Sequence, residues 1–239
     1  MRYTVHRALS MLKTTKARIE KELSNNYSFI RVARGQDDNI RGVAVADIER
    51  YIQGSYDRIT SLINNYIKIK SAVIRSNAGI QSDTADIKRA SVAGLSLTVA
   101  EIIEMNDAVY GRGKTSGGSK PKGFKASLLA KMKQDYAEAQ SEFDALQEKA
   151  DDEVRQYLNA LSVKRKDGEE IDSNSKATIE ATSKMLHEQK DPRFIDPLKI
   201  ADKIIALENE IENFRTEADA VLSEQNALTT IEIDLAEIK

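Results

Sequence analysis

Cysteine is absent from the 239 residues, which excludes disulfides, thiolate metal centres and cysteine nucleophiles. Tryptophan is missing as well, and aromatic residues reach only 5%. Any core must therefore be built from Ile, Leu, Val and Ala, the residues that fill the seams of packed helices. With 3 prolines and 11 glycines, the residues that normally end helices are scarce, so the helices should be long. No stretch approaches the ~18 consecutive apolar residues of a membrane span. The opening MRYTVHRALSMLKTTKARIEKEL interleaves charges with apolar residues and lacks the apolar run of a signal peptide. The expectation is a cytoplasmic chain with no membrane partner. Charge of one sign is lacking too: 36 Lys and Arg face 38 Asp and Glu, for a net charge of −2. A dedicated duplex binder carries a clear basic excess, so nucleic acid is not an expected partner.

What the chain does have is periodicity. Val5, Leu9, Leu12, Ile19 and Leu23 recur at spacings of three and four with Lys16 on the same seam, which predicts a first helix capped by Thr4. Residues 27–33 are rich in β-branched and aromatic side chains and read as a short strand; residues 35–42 read as a polar loop. Val45, Ile48, Ile52, Ile59, Leu62, Tyr66, Ile69 and Val73 mark a helix running to about Arg75, interrupted on its seam only by Ser55. Ala93-Gly94 between two short extended runs predicts a hairpin over 88–98. Thr98 and Glu101 then form the two ends of a capping box that opens a short helix.

Residues 111–123, GRGKTSGGSKPKG, form the one low-complexity stretch, a basic glycine-rich loop. A long helix is expected over 125–161, its seam shifting from Leu129, Met132, Tyr136, Ala139, Phe143, Leu146 and Ala150 to Val154, Leu158 and Leu161. A weaker helix is expected over 175–189. Asp191-Pro192 and Asp196-Pro197 punctuate a loop, with Asp196 as N-cap and Pro197 opening the last helix. That helix carries Ile200, Ile204, Leu207, Ile211, Phe214, Ala218 and Val221, ends near Glu224, and hands over to a strand at 229–233. The fold expected is mainly α: long antiparallel helices in a bundle or coiled-coil-like arrangement with a small antiparallel β-sheet at one end. No linker divides it, so 1–239 reads as a single elongated helical domain.

Chemistry is harder to find. Gly113-Lys114-Thr115 has the tail of a phosphate-binding loop, but the glycine that motif needs at position 108 is Ala108 and no strand feeds it. His6 and His187 are the only histidines, and neither has Glu three residues before it as a di-metal bundle would require. Abundant carboxylates such as Asp151-Asp152-Glu153 read as solvated helix faces. No nucleophile, base and orienting group can be assembled, so no catalytic residue, metal or cofactor is expected and the chain reads as non-enzymatic. The remaining candidates for ligand binding are the cations Arg112, Lys114, Lys120 and Lys122, with Asn77 and Asn226. Each Asn stands where a long helix is expected to hand over to an extended segment; there Asn can take the left-handed conformation and cap exposed carbonyls. The alternative is that both line a polar pocket.

The helix end AVIRSNA at 72–78, the hairpin leading into LTVAEI at 97–102, and the terminal ADAVLSEQNALTTIEI at 218–233 together carry a resemblance. The chain resembles a group of uncharacterised bacteriophage and prophage helical proteins and, more distantly, the bacterial family labelled septicolysin. The resemblance covers the two ends well and the middle poorly, and the basic glycine loop departs from it. It implies an all-α body with a small sheet and a phage or mobile-element origin, with no assigned catalytic residues. The thiol-dependent toxin that the septicolysin label implies does not fit a chain without cysteine. The function expected is a phage-encoded structural or assembly protein acting through helical self-association, as a homo-oligomer in the host cytoplasm or the virion. The alternative is a phage effector that binds a host protein or a small anionic ligand to counter host defence.

Overall fold

The fold is taken from a computed structural model, which describes residues 3–35, 38–40, 42–78, 89–111, 123–163 and 173–228. Six helices dominate it: α1 (Val5–Ser24), α2 (Val45–Asn77), α3 (Val99–Ala108), α4 (Phe124–Val163), α5 (Ser173–Lys190) and α6 (Ile200–Leu228). Six short strands accompany them: β1 (Arg31–Arg34), β2 (Asn39–Ile40), β3 (Val43–Ala44), β4 (Ala90–Val92), β5 (Leu95–Leu97) and β6 (Pro192–Ile195). The mainly helical class with small antiparallel sheets is therefore as expected. Among the described residues the strands form three separate pairs, β1 with β6, β2 with β3 and β4 with β5. The expected strand at 229–233 lies outside the described residues.

Two compact units make up the chain, one of Met1–Asn25, Arg58–Lys131 and Ile204–Lys239, the other of Asn26–Asp57 and Met132–Lys203. In the first, α1 runs antiparallel to α2: the start of α1 meets residues 68–76 across a groove, and Glu22 near its end meets Arg58. Thr4 caps α1 by accepting the Arg7 N–H, as its sequence position requires. The α6 seam is buried at Ile204, Leu207, Ile211, Phe214 and Ala218, all positions marked by the periodicity. Phe214 stacks on Tyr110 with ring centroids 3.7 Å apart. Between β4 and β5, Ala93 and Gly94 both have positive φ (50° and 74°), the pairing that a two-residue hairpin turn demands. Thr98 then closes the capping box at α3, its hydroxyl accepting the Glu101 N–H while the Glu101 carboxylate accepts the Thr98 N–H.

In the second unit the core gathers around Phe29, which is wholly buried and meets Tyr27 and Tyr56 edge-on. Its backbone N–H is satisfied by the buried Asp135 carboxylate of α4 at 3.0 Å. Ser55, the polar interruption of the α2 seam, is buried beside Ile52.

Three local expectations are corrected. Residues 35–42 are not wholly loop, because Asn39–Ile40 pairs with Val43–Ala44 in a minimal hairpin around Gly42. The expected loop at 191–197 contains β6, which pairs antiparallel with β1 from Arg34↔Pro192 to Arg31↔Ile195. Pro192 can open an edge strand because no donor is required there. Finally, α6 starts at Ile200, not at Pro197: residues 197–198 form a turn and Lys199 takes φ 52°. Asp196 still caps, accepting the Ile200 N–H on both carboxylate oxygens at 3.0 and 2.9 Å.

Candidate functional site

An α-helix of 20 residues ordinarily hides a stripe of side chains, yet α1 buries Ile19 alone. Its seam is covered only on one flank. Ala8, Met11, Leu12, Thr15 and Leu23 are half-buried, whereas Val5 and Leu9 remain 39% and 48% exposed. Between α1 and α2 lies a groove of about 310 Å³, lined by Tyr3, Val5, Ala8 and Met11 on one wall and by residues 68–76 of α2 on the other. The α2 wall offers Ile69, Ala72 and Val73, rimmed by Lys68 and Ser76. Charge around this groove is one-sided. From Tyr3 to Ile19 the chain carries Arg7, Lys13, Lys16 and Arg18 and not one carboxylate. Arg7 lies over the Tyr3 ring, 5.0 Å from its centroid, which holds a cation at the groove mouth.

The acidic counterpart is on α6. From Glu208 to Glu224 it bears six carboxylates and the single cation Arg215. Glu212, Asp219 and Glu224 are exposed, while Glu210 pairs with Lys125 and Glu217 accepts the Ala93 N–H at 2.6 Å. Arg215 is turned inward, donating from Nη2 to the Tyr110 carbonyl at 2.8 Å.

Of the ligand-binding residues read from the sequence, Asn77 and Asn226 are described. Arg112, Lys114, Lys120 and Lys122 lie outside the described residues, but both ends of their segment are described. Gly123 has φ +98°, and a Cβ there would lie 2.5 Å from the Gly111 nitrogen. The Lys125 N–H donates to the Val109 carbonyl at 2.8 Å, and its ammonium sits over the Tyr110 ring. Burial, partly offset by that ammonium, raises the Tyr110 phenol above its ordinary range.

Asn77 and Asn226 are exposed, and the helix-capping role expected of them is not found. Asn77 is the last residue of α2, and the turn closes with the ordinary Ala78 N–H to Ile74 carbonyl bond at 3.0 Å. Asn226 lies inside α6, which continues to Leu228, so the left-handed conformation is not called for. Among the described residues the non-glycine positions with positive φ are Ala93 and Lys199.

Sequence reasoning missed how the carboxylates of α4 are used. Glu153 is not simply solvated, for it accepts hydrogen bonds from Lys190 at 2.8 Å and from Arg34. These two hydrogen bonds hold its carboxyl well down, at about 2. Two residues earlier, Asp151 faces His187 and Asp191. Their partners are remote in sequence, and no local pattern announces them. No family model, no curated protein and no solved structure matches the chain. No helix among the described residues is long and apolar enough to cross a membrane.

Proposed function

We propose that the chain is a non-enzymatic interaction protein, a structural or assembly component of the kind the resemblance to phage proteins implies. It works by associating with further copies of itself through the α1/α2 groove. The observation that carries this reading is the uncovered seam of α1, with Val5 lining a preformed apolar groove and Leu9 exposed one turn further along the helix. Fully burying a Val or Leu side chain contributes about 1.5–3 kcal/mol; with Val5 39% and Leu9 48% exposed, a little under half of that remains to be gained at each. The occupant is a second copy, chosen on charge. The α1 face is purely basic from Tyr3 to Ile19, and the same chain supplies an acidic surface on α6. A face that meets a different face of the next copy makes a head-to-tail contact, which closes as a ring or extends as a filament.

Sedimentation of the purified chain from low to high micromolar concentration tests this. Wild type should associate, and the association should weaken with salt because complementary charges are screened. Leu9→Glu places a carboxylate on the exposed α1 seam, one turn after Val5, and should yield a monomer that still unfolds cooperatively, since Leu9 is already half-exposed. A wild type that stays monomeric at about 100 µM, or a Leu9→Glu chain that associates as well as wild type, would refute the proposal.

A further inference from the structure

Asp151 of α4, His187 of α5 and Asp191 beyond the end of α5 converge in the second unit. One ligand atom from each lies within 4.8 Å of the others. His187 Nδ1 is 2.9 Å from Asp191 Oδ1 and 3.9 Å from Asp151 Oδ1. A tetrahedral ion with bonds of ~2.0–2.1 Å holds its ligands about 3.3 Å apart, so the two distances bracket that edge. We propose that these three side chains form a binding site for a divalent transition-metal ion of the zinc class.

Local charge supports the assignment independently of the spacing. Glu153, on the same helix, is held by two cations, Arg34 and Lys190. Asp151 and Asp191 are both turned to the same imidazole nitrogen, and among the described residues neither is paired with a lysine or arginine. Two carboxylates sharing one imidazole leave an excess of negative charge that a divalent ion neutralises. An imidazole nitrogen among the donors favours zinc and its neighbours in the late first row over calcium, magnesium and manganese, which prefer oxygen ligands.

A fourth donor is at hand. Gln147, one turn before Asp151 on α4, points its amide nitrogen at both carboxylates, 2.9 Å from Asp151 Oδ1 and 3.4 Å from Asp191 Oδ1. Turning the amide over exchanges Nε2 for Oε1 and presents an oxygen to the same point. The frame is firm. Asp191 is held by its own backbone, its N–H bonded to the His187 carbonyl at 2.8 Å and its carbonyl accepting the Gly35 N–H at 2.9 Å. The three side chains are half-exposed, so an ion can enter from solvent without opening the core. Bound there, it would clip α4 to the α5–β6 corner.

The test is titration of the EDTA-stripped full chain with Zn²⁺ by calorimetry, alongside the Co²⁺ absorption spectrum and the melting temperature. One ion should bind per chain, Co²⁺ should give the visible bands of a low-coordinate nitrogen–oxygen site, and the melting temperature should rise. Asp151→Asn and His187→Gln should each weaken binding by about tenfold or more, while His6→Ala, on an exposed turn of α1, should bind as wild type. Asp151→Asn keeps the size of a half-exposed side chain, so its folding can be verified before titration. Absence of saturable binding up to about 1 mM Zn²⁺ would overturn the proposal. So would wild-type affinity in Asp151→Asn and His187→Gln, or a loss of binding in His6→Ala.

Discussion

The Arg75 guanidinium donates from Nε to Glu101 Oε1 at 2.9 Å, and the Glu101 side chain that receives it is completely buried. The other carboxylate oxygen accepts both the Thr98 N–H and the Thr98 hydroxyl, each at 2.9 Å. One carboxylate thus closes the α3 capping box and ties α3 to the end of α2. Burial opposes its charge, but the hydrogen bonds from Thr98, the Arg75 charge and a hydrogen bond from Ser71 outweigh that and keep its pKa below the ordinary range.

Glu101→Gln preserves shape but removes the buried negative charge that Arg75 donates to, and should cost about 2–3 kcal/mol of stability. Thr98→Ala, which removes the cap hydroxyl, should cost about 1 kcal/mol. Because both changes disturb the same oxygen, the double variant should lose less than the sum of the two. Urea denaturation of the four proteins measures all three statements.

Acid should expose the Glu153 cluster. Its folded pKa of about 2 lies below the ordinary 4.5, so its contribution is complete above pH 4.5 and lost as pH falls from there to about 2. Glu101, lowered in the same direction, adds to the loss over acid pH. Glu153→Gln should therefore be less stable than wild type at neutral pH and show a shallower decline between pH 4.5 and about 2. Denaturant midpoints taken across that window decide it; parallel curves would show that the cluster adds nothing.

Two glycines should respond oppositely to alanine. Gly35 has φ +67°, and a Cβ there would fall 2.2 Å from the Gln189 carbonyl oxygen, next to the β1–β6 pairing. Gly35→Ala should cost at least about 1–3 kcal/mol through strain and displaced backbone. Gly54 sits inside α2 with nothing within 4 Å of an added Cβ. Gly54→Ala should raise stability by about 0.5–1 kcal/mol through reduced freedom of the unfolded chain. Thermal or urea melts of the two variants give the signs directly.

The amphipathic seams were readable because a helix face is a local property, set by a 3.6-residue repeat in contiguous sequence. Every seam position from Ile200 to Ala218 that periodicity marks is buried, and the hairpin at Ala93-Gly94 and the box at Thr98/Glu101 follow from residues three or fewer positions apart. Local chemistry also misled. Asp191-Pro192 has the composition of a turn, yet Pro192 opens a strand, because its pairing with Arg34 is made across the chain.

The candidate sites were beyond the sequence for the same reason. Periodicity draws the α1 seam through Val5 and Leu9 and cannot tell that α2 covers only one flank of it. Asp151, His187 and Asp191 are ordinary polar residues until two helices and a strand start bring their donor atoms together. The sequence determined which faces are apolar and where helices begin, since those depend on neighbours along the chain. Which faces stay open, and which carboxylates share a histidine or a cation, was decided by tertiary packing, since those depend on neighbours in space.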